Sequence, residues 1–107
     1  MTHAVTAVLL IEDSEIDALL LREALAGDLL GQFEVTAVER LSAGLQLLAQ
    51  QHFDVVLLDL GLPDSQGLAT FEKLHAAAPE VPVVVFSGNL DTGAATEAVQ
   101  RGAQDYL

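Results

Sequence analysis

Short runs of Val, Leu and Ile alternate along the chain with longer stretches whose apolar residues recur at helical spacing. This is the pattern of a parallel sheet covered by helices on both faces. The runs predict strands over Ala4–Ile11, Phe33–Val38, Asp54–Leu58, Val81–Phe86 and Ala103–Leu107, with four helices between them. The first helix begins at the capping-box pattern Ser14-Glu15-Ile16-Asp17 and is expected to bury Ile16, Leu19, Leu20 and Ala24 on one face. The second carries Leu41, Leu45 and Leu48, and the third Leu68, Phe71 and Leu74. The fourth runs from near Asp91 to Arg101 and stops at Gly102, a residue suited to a left-handed helix end. Pro82 falls at the start of the fourth strand, where a missing N–H costs little. Right-handed crossovers restrict such a chain to a few doubly wound α/β sheets, without choosing among their strand orders.

Composition narrows the functional classes. With 107 residues, 51% of them apolar, the chain supports one hydrophobic core and so one domain. Sixteen acidic residues against four basic ones give a formal charge of −12, which argues against direct nucleic-acid binding and against anionic membrane surfaces. Most of these carboxylates need no explanation beyond solubility. The lack of cysteine excludes disulfide scaffolds and thiol chemistry. Ala4–Ile11 is too short for a membrane span, lacks a basic flank and runs into Glu12 and Asp13, so neither anchor nor signal peptide is read and a cytoplasmic location is expected. His3, His52 and His75 show no ligand spacing and are expected at the surface, and no phosphate-binding glycine motif occurs.

Ligands of doubly wound sheets bind outside the carboxyl ends of the strands, and three of those ends carry chemistry here. Glu12 and Asp13 follow the first strand, Asp59 follows Val55-Val56-Leu57-Leu58, and Ser87 follows Val83-Val84-Val85-Phe86. If the first and third strands are neighbours, three carboxylates converge. Two carboxylates about 4 Å apart repel by about 4 kcal/mol at an effective dielectric of about 20, so the cluster needs a cation or raised pKa values. Hard oxygen ligands favour Mg²⁺, which leaves positions open for phosphate oxygens, and phosphoryl transfer to a carboxylate is the natural chemistry. Each residue also has a plainer reading. Asp13 is a candidate cap for the first helix, a role Ser14 fills equally well. Ser87 is an ordinary turn residue by type, although Gly88 beside it would let a ligand approach the backbone. Asp59, directly after four apolar residues and followed by Gly61 and Pro63, is the hardest to explain structurally.

Four segments in order, Leu10-Ile11-Glu12-Asp13-Ser14, Leu57-Leu58-Asp59-Leu60-Gly61-Leu62-Pro63 with Gly67 beyond, Phe86-Ser87-Gly88 and Gly102-Ala103-Gln104-Asp105-Tyr106-Leu107, resemble the motifs of a response-regulator receiver domain, from Val5 to the last residue. The resemblance implies a chemotaxis-regulator-like, flavodoxin-like fold: a three-layer αβα sandwich with a five-stranded parallel sheet of order 2-1-3-4-5. It implies Asp59 as phosphoacceptor, Asp13 as direct Mg²⁺ ligand, Glu12 as the neighbouring acid acting through water, and Gly61 as the lender of a backbone carbonyl. Ser87 matches the switch hydroxyl and Tyr106 the switch aromatic. The implied function is a phosphorylation-dependent switch of a two-component system or phosphorelay, with a sensor histidine kinase or phosphotransfer protein as donor. Such a module is no enzyme toward external substrates and catalyses only its own phosphoryl transfer and dephosphorylation.

Several departures bear on that reading. Glu12 stands where many members have Asp, which lengthens the acid without removing it. Gly61 and Asn89 occupy the positions that usually influence dephosphorylation. The family's lysine should lie three residues after Tyr106, but the sequence stops at Leu107, and Lys73 in the third helix cannot replace it. Residues 1–107 are accordingly expected to be a receiver domain truncated at its C-terminal end, without the final helix. The alternative is a phosphorylation-independent, receiver-like module acting through homodimerisation or docking of its fourth helix and fifth strand. A magnesium phosphatase with a nucleophilic aspartate would want a second acid where Gly61 stands.

Overall fold

Runs of β-branched and leucine residues form strands here because both faces of the sheet are covered, and their pairing sets the order. The computed structural model describes residues 5–26, 32–86, 92–103 and 105–106. Its elements are β1 (Thr6–Ile11), α1 (Glu15–Ala26), β2 (Phe33–Val38), α2 (Leu41–Gln50), β3 (Val55–Asp59), β4 (Gly61–Leu62), β5 (Ser65–Gln66), α3 (Leu68–Ala77), β6 (Val83–Phe86), α4 (Thr92–Gln100) and β7 (Asp105–Tyr106). Five strands pair in parallel in the order β2-β1-β3-β6-β7, while β4 and β5 form a separate antiparallel hairpin. Counted along the large sheet alone, this is the order 2-1-3-4-5.

The chain moves one way from β1 to β2 and the other way from β2 onward. Right-handed crossovers then set α1 on one face and α2, α3 and α4 on the other. Consistently, α3 packs against both α2 and α4, and α1 packs along β2. On the three-helix face Leu9, Ile11, Val56, Leu58, Val83 and Val85 join Leu41, Phe71, Leu74 and Ala98 in one buried cluster. Strand alternation sends Val8 and Leu10 to the opposite face, where they are buried, and Val55, Leu57 and Val84 beside them are half-buried.

Some expectations shift by a residue or two. β3 starts at Val55 rather than Asp54, because the Asp54 carboxylate accepts the Ala7 N–H at 2.7 Å and holds the start of β1 through its side chain. It ends on Asp59 itself, which pairs with Phe86. Pro82 lies just outside β6, its carbonyl accepting the Val56 N–H. The β4–β5 hairpin was not anticipated. Ala4, His3, Asp91, Gln104 and Leu107 lie outside the described residues.

Two expectations are corrected. The apolar face of α1 is not buried: Ile16 is 72% exposed, Leu19 55% and Leu20 59%, and Ala24 is exposed too. Ala18 and Leu21, one step around the helix, are the half-buried positions, and among the described residues α1 is the single helix on its side of the sheet. Among the described residues the expected stripe meets no second helix. His75 is not a plain surface residue either. Its ring stacks on Phe71 with centroids 5.1 Å apart, and Gly102, at φ +125°, passes so close that a Cβ there would stand 3.3 Å from His75 Nε2. His52 is exposed, as expected.

Candidate functional site

Strand register builds the site. Ile11 is opposite Leu58 across the β1–β3 pair, so the next residues, Glu12 and Asp59, come side by side at the carboxyl end of the sheet. The Glu12 N–H donates to the Val38 carbonyl at 3.0 Å, which fixes the exit of β1. Glu12 Oε1 accepts the Ser14 N–H at 3.0 Å, and Ser14 Oγ accepts the Asp17 N–H at 3.3 Å as the cap of α1. The Ser14 N–H is thus satisfied by Glu12 rather than by the third residue of a capping box. Asp59 Oδ1 accepts the Gly61 N–H at 3.0 Å. One oxygen each from Glu12, Asp13 and Asp59 lies within 4.8 Å of the others, with Glu12 and Asp59 buried and Asp13 exposed.

This crowding is costly without a cation. Burial, reinforced by Asp59, pushes the Glu12 carboxyl up to about 8. Burial also raises Asp59, with the charges of Asp13 and Asp17 acting in the same direction and the Gly61 N–H opposing it. Both carboxyls are thus pushed toward their protonated form. Among the described residues the ion pairs are His52–Asp54 and those of Arg101 with Glu72 and Glu97, none of them at this cluster. Three hard oxygen donors with unmatched negative charge fit a small divalent cation.

Gly61 is exposed in β4, two residues past Asp59, and a Cβ there would stand 3.8 Å from Asp59 Oδ1, an ordinary contact. Tyr106 lies in β7 with its backbone opposite Val85. Its side chain, together with Ser87, Gly88 and Asn89, lies outside the described residues. Sequence reading missed a cleft of about 380 Å³ that opens from Glu12 between α1 and β2, with Leu19, Arg22 and Val38 in its walls. No periodicity signals it, since its walls come from separate elements, α1 and the end of β2.

Residues 8–107 match the family model of the response regulator receiver domain. The chain belongs to that family. The receiver domain is 37% identical over 102 residues to the KDP operon transcriptional regulatory protein KdpE of Escherichia coli K12, covering 95% of this chain and 44% of the relative. It is 36% identical to the response regulator FleR of Pseudomonas aeruginosa, covering 94% of this chain and 20% of that one, so it spans less than half of either relative. Among solved structures it is similar to a response regulator from Burkholderia pseudomallei that carries a phosphorylated aspartic acid, a calcium ion and citrate. That match has TM-score 0.77 and 27% identity, and covers 95% of this chain and 58% of the other. The phosphorylated cyanobacterial phytochrome response regulator RcpA aligns with TM-score 0.83 and 26% identity, covering 97% of this chain and 80% of that one. No helix among the described residues is long and apolar enough to cross a membrane.

Proposed function

We propose that this receiver domain is a phosphorylation-dependent switch that accepts a phosphoryl group on Asp59, with Mg²⁺ held by Asp13, Asp59 and the Gly61 carbonyl and approached by Glu12 through water. The observation that carries it is the convergence of Glu12, Asp13 and Asp59 within 4.8 Å at the carboxyl edge of the sheet. The phosphorylated aspartic acid and calcium ion of the Burkholderia relative support the same reading. When bound, the divalent ion neutralises charge on the oxygens of the transferring phosphoryl group. The Gly61 N–H holds Asp59 Oδ1 and so fixes the plane of the carboxylate. An Asp59 oxygen attacks phosphorus, the P–N bond to a kinase or phosphotransfer histidine breaks, and the imidazole nitrogen keeps the bonding pair. Ser87 then reads the phosphoryl group and Tyr106 reports it. The domain acts on itself rather than on an external substrate. Its location is the cytoplasm, and its net charge of −12 leaves nucleic-acid contact to other segments. β7 is the edge strand of the sheet, which supports contact between copies there and along α4.

Treating the protein with a small acyl phosphate and Mg²⁺ and measuring intact mass tests the assignment. One added phosphoryl group, absent in Asp59→Asn, is expected. No addition to the parent would favour a phosphorylation-independent docking module, and persistent addition in Asp59→Asn would remove Asp59 as acceptor.

A further inference from the structure

Gly61 has no side chain with which to anchor itself, and the hairpin that carries it is only two residues long on each side. A two-stranded hairpin of that size does not hold its shape alone. Its position relative to Asp59 is set by what grips it. At its base the Gly67 N–H donates to the Leu60 carbonyl at 2.7 Å. On its inner flank Leu62 is fully buried, and the Ser65 and Thr70 hydroxyls are hydrogen-bonded at 2.9 Å, tying β5 to α3. At its tip, next to Pro63, Asp64 reaches across to a different helix. Asp64 Oδ1 accepts the Leu41 N–H at 2.9 Å and Oδ2 the Ser42 N–H at 3.0 Å, the first two donors of α2.

The α2 N-terminus depends on this contact. Arg40, its own N-cap residue, has the extended backbone of a cap (φ −135°, ψ 150°) but makes no side-chain capping bond. A carboxylate from another element thus supplies what a local Ser or Asp would ordinarily supply. α2 in turn lies hard against β1, where Gly44 faces Ile11, the residue before Glu12. Asp64 therefore joins the hairpin that bears Gly61 to a helix seated on the strand that leads into Glu12 and Asp13.

We propose that Asp64 is a positioning residue: by binding the first two N–H groups of α2 it holds the β4–β5 hairpin where the Gly61 carbonyl can complete the metal site formed by Glu12, Asp13 and Asp59. This rests on the metal-assisted reading given above. Residues that orient a metal site without touching the ion typically change its affinity by about 10–100-fold, and Asp64 acts at the lower end because two other grips remain.

The test separates capping from positioning. In the 107-residue chain, Mn²⁺ binding is followed by loss of the free-ion EPR signal, and metal-free melting is measured alongside, for the parent, Asp64→Ala, and Asp64→Ala combined with Arg40→Ser, which restores a cap from within α2. Asp64→Ala is expected to weaken Mn²⁺ binding about tenfold and to lower the melting temperature. The double variant is expected to recover the melting temperature and not the Mn²⁺ affinity. Parent-like affinity in Asp64→Ala, or recovery of both quantities together, would overturn the proposal by reducing Asp64 to a helix cap. Should Asp64→Ala not fold, Asp64→Asn keeps one acceptor oxygen, and parent-like Mn²⁺ affinity there would overturn it as well. A parent that binds no Mn²⁺ would instead remove the metal-assisted reading itself, which keeps the two failures apart.

Discussion

Glu12 is buried beside Asp59, and its carboxyl is pushed up to about 8. In the unfolded chain it titrates near 4.5. Between those values the folded state holds a proton that the unfolded state has lost, so the stability this group contributes is full below about 4.5 and falls as pH rises through about 8. Asp59, also raised by burial, adds a slope of the same sign. Asp54 and Asp64 are lowered by the N–H groups of Ala7 and of Ser42 and Leu41. Their contributions are lost only as pH falls below the ordinary aspartate range, so they do not oppose the trend. The metal-free protein is expected to melt at a lower temperature at pH 8 than at pH 5.5, measured at constant ionic strength. Mg²⁺ should raise the melting temperature more at pH 8, where it displaces fewer protons, and Glu12→Gln should flatten the pH trend. A melting temperature that climbs steadily from pH 5.5 to 8 would contradict the raised carboxyls of the pair.

At the scale of elements, close approach decides what each segment tolerates. Gly44 lets α2 sit directly on β1: a Cβ there would overlap Ile11 Cδ1 and stand 3.1 Å from Ile11 Cγ1, and Ile11 is fully buried with little room to change rotamer. Replacing Gly by Ala in a helix interior gains about 1 kcal/mol of propensity. Overpacking a core costs about 1–3 kcal/mol. Gly44→Ala is therefore expected to lose about 1 kcal/mol net in urea denaturation, and a gain would show that Ile11 yields freely. The same dependence on neighbours explains what could be read from the sequence. β2 was legible to the residue because a β-branched and aromatic run needs only local reading. The acids at the ends of β1 and β3 were legible because parallel sheets place chemistry there. The β4–β5 hairpin was not, since two residues per strand carry no period. Asp64 was not singled out, because its contact exists only where α2 begins 2.9 Å away. The face of α1 misled for the opposite reason: its spacing is that of a buried stripe, but spacing states what a helix could cover and not whether anything lies opposite.

Among the described residues burial is one-sided. The cluster between the sheet and α2, α3 and α4 holds Phe71, Leu74, Leu58 and Val85 with almost no exposure, whereas Ile16, Leu19 and Leu20, neighbours on one face of α1, present an apolar patch to water. Fully burying a leucine side chain is worth about 1.5–3 kcal/mol, and one that stays 59% exposed, as Leu20 does, realises less than half of that. A net charge of −12 opposes association through such a patch at low salt, because like-charged molecules repel within roughly a Debye length. The asymmetry can be measured on the 107-residue chain by pairing two leucine substitutions in urea denaturation. Leu74→Ala, at a fully buried position, should cost about 2–5 kcal/mol through lost transfer energy and the cavity left behind. Leu20→Gln should change stability by about 0.5 kcal/mol or less, since glutamine matches leucine in helix propensity and surface changes away from special contacts are small. Because Gln shrinks the patch without altering charge, it should also reduce the rise in light scattering when salt is added. A loss of about 2 kcal/mol or more in Leu20→Gln would mean that this side of α1 is covered when the 107-residue chain is in solution, and would contradict the exposure described for it.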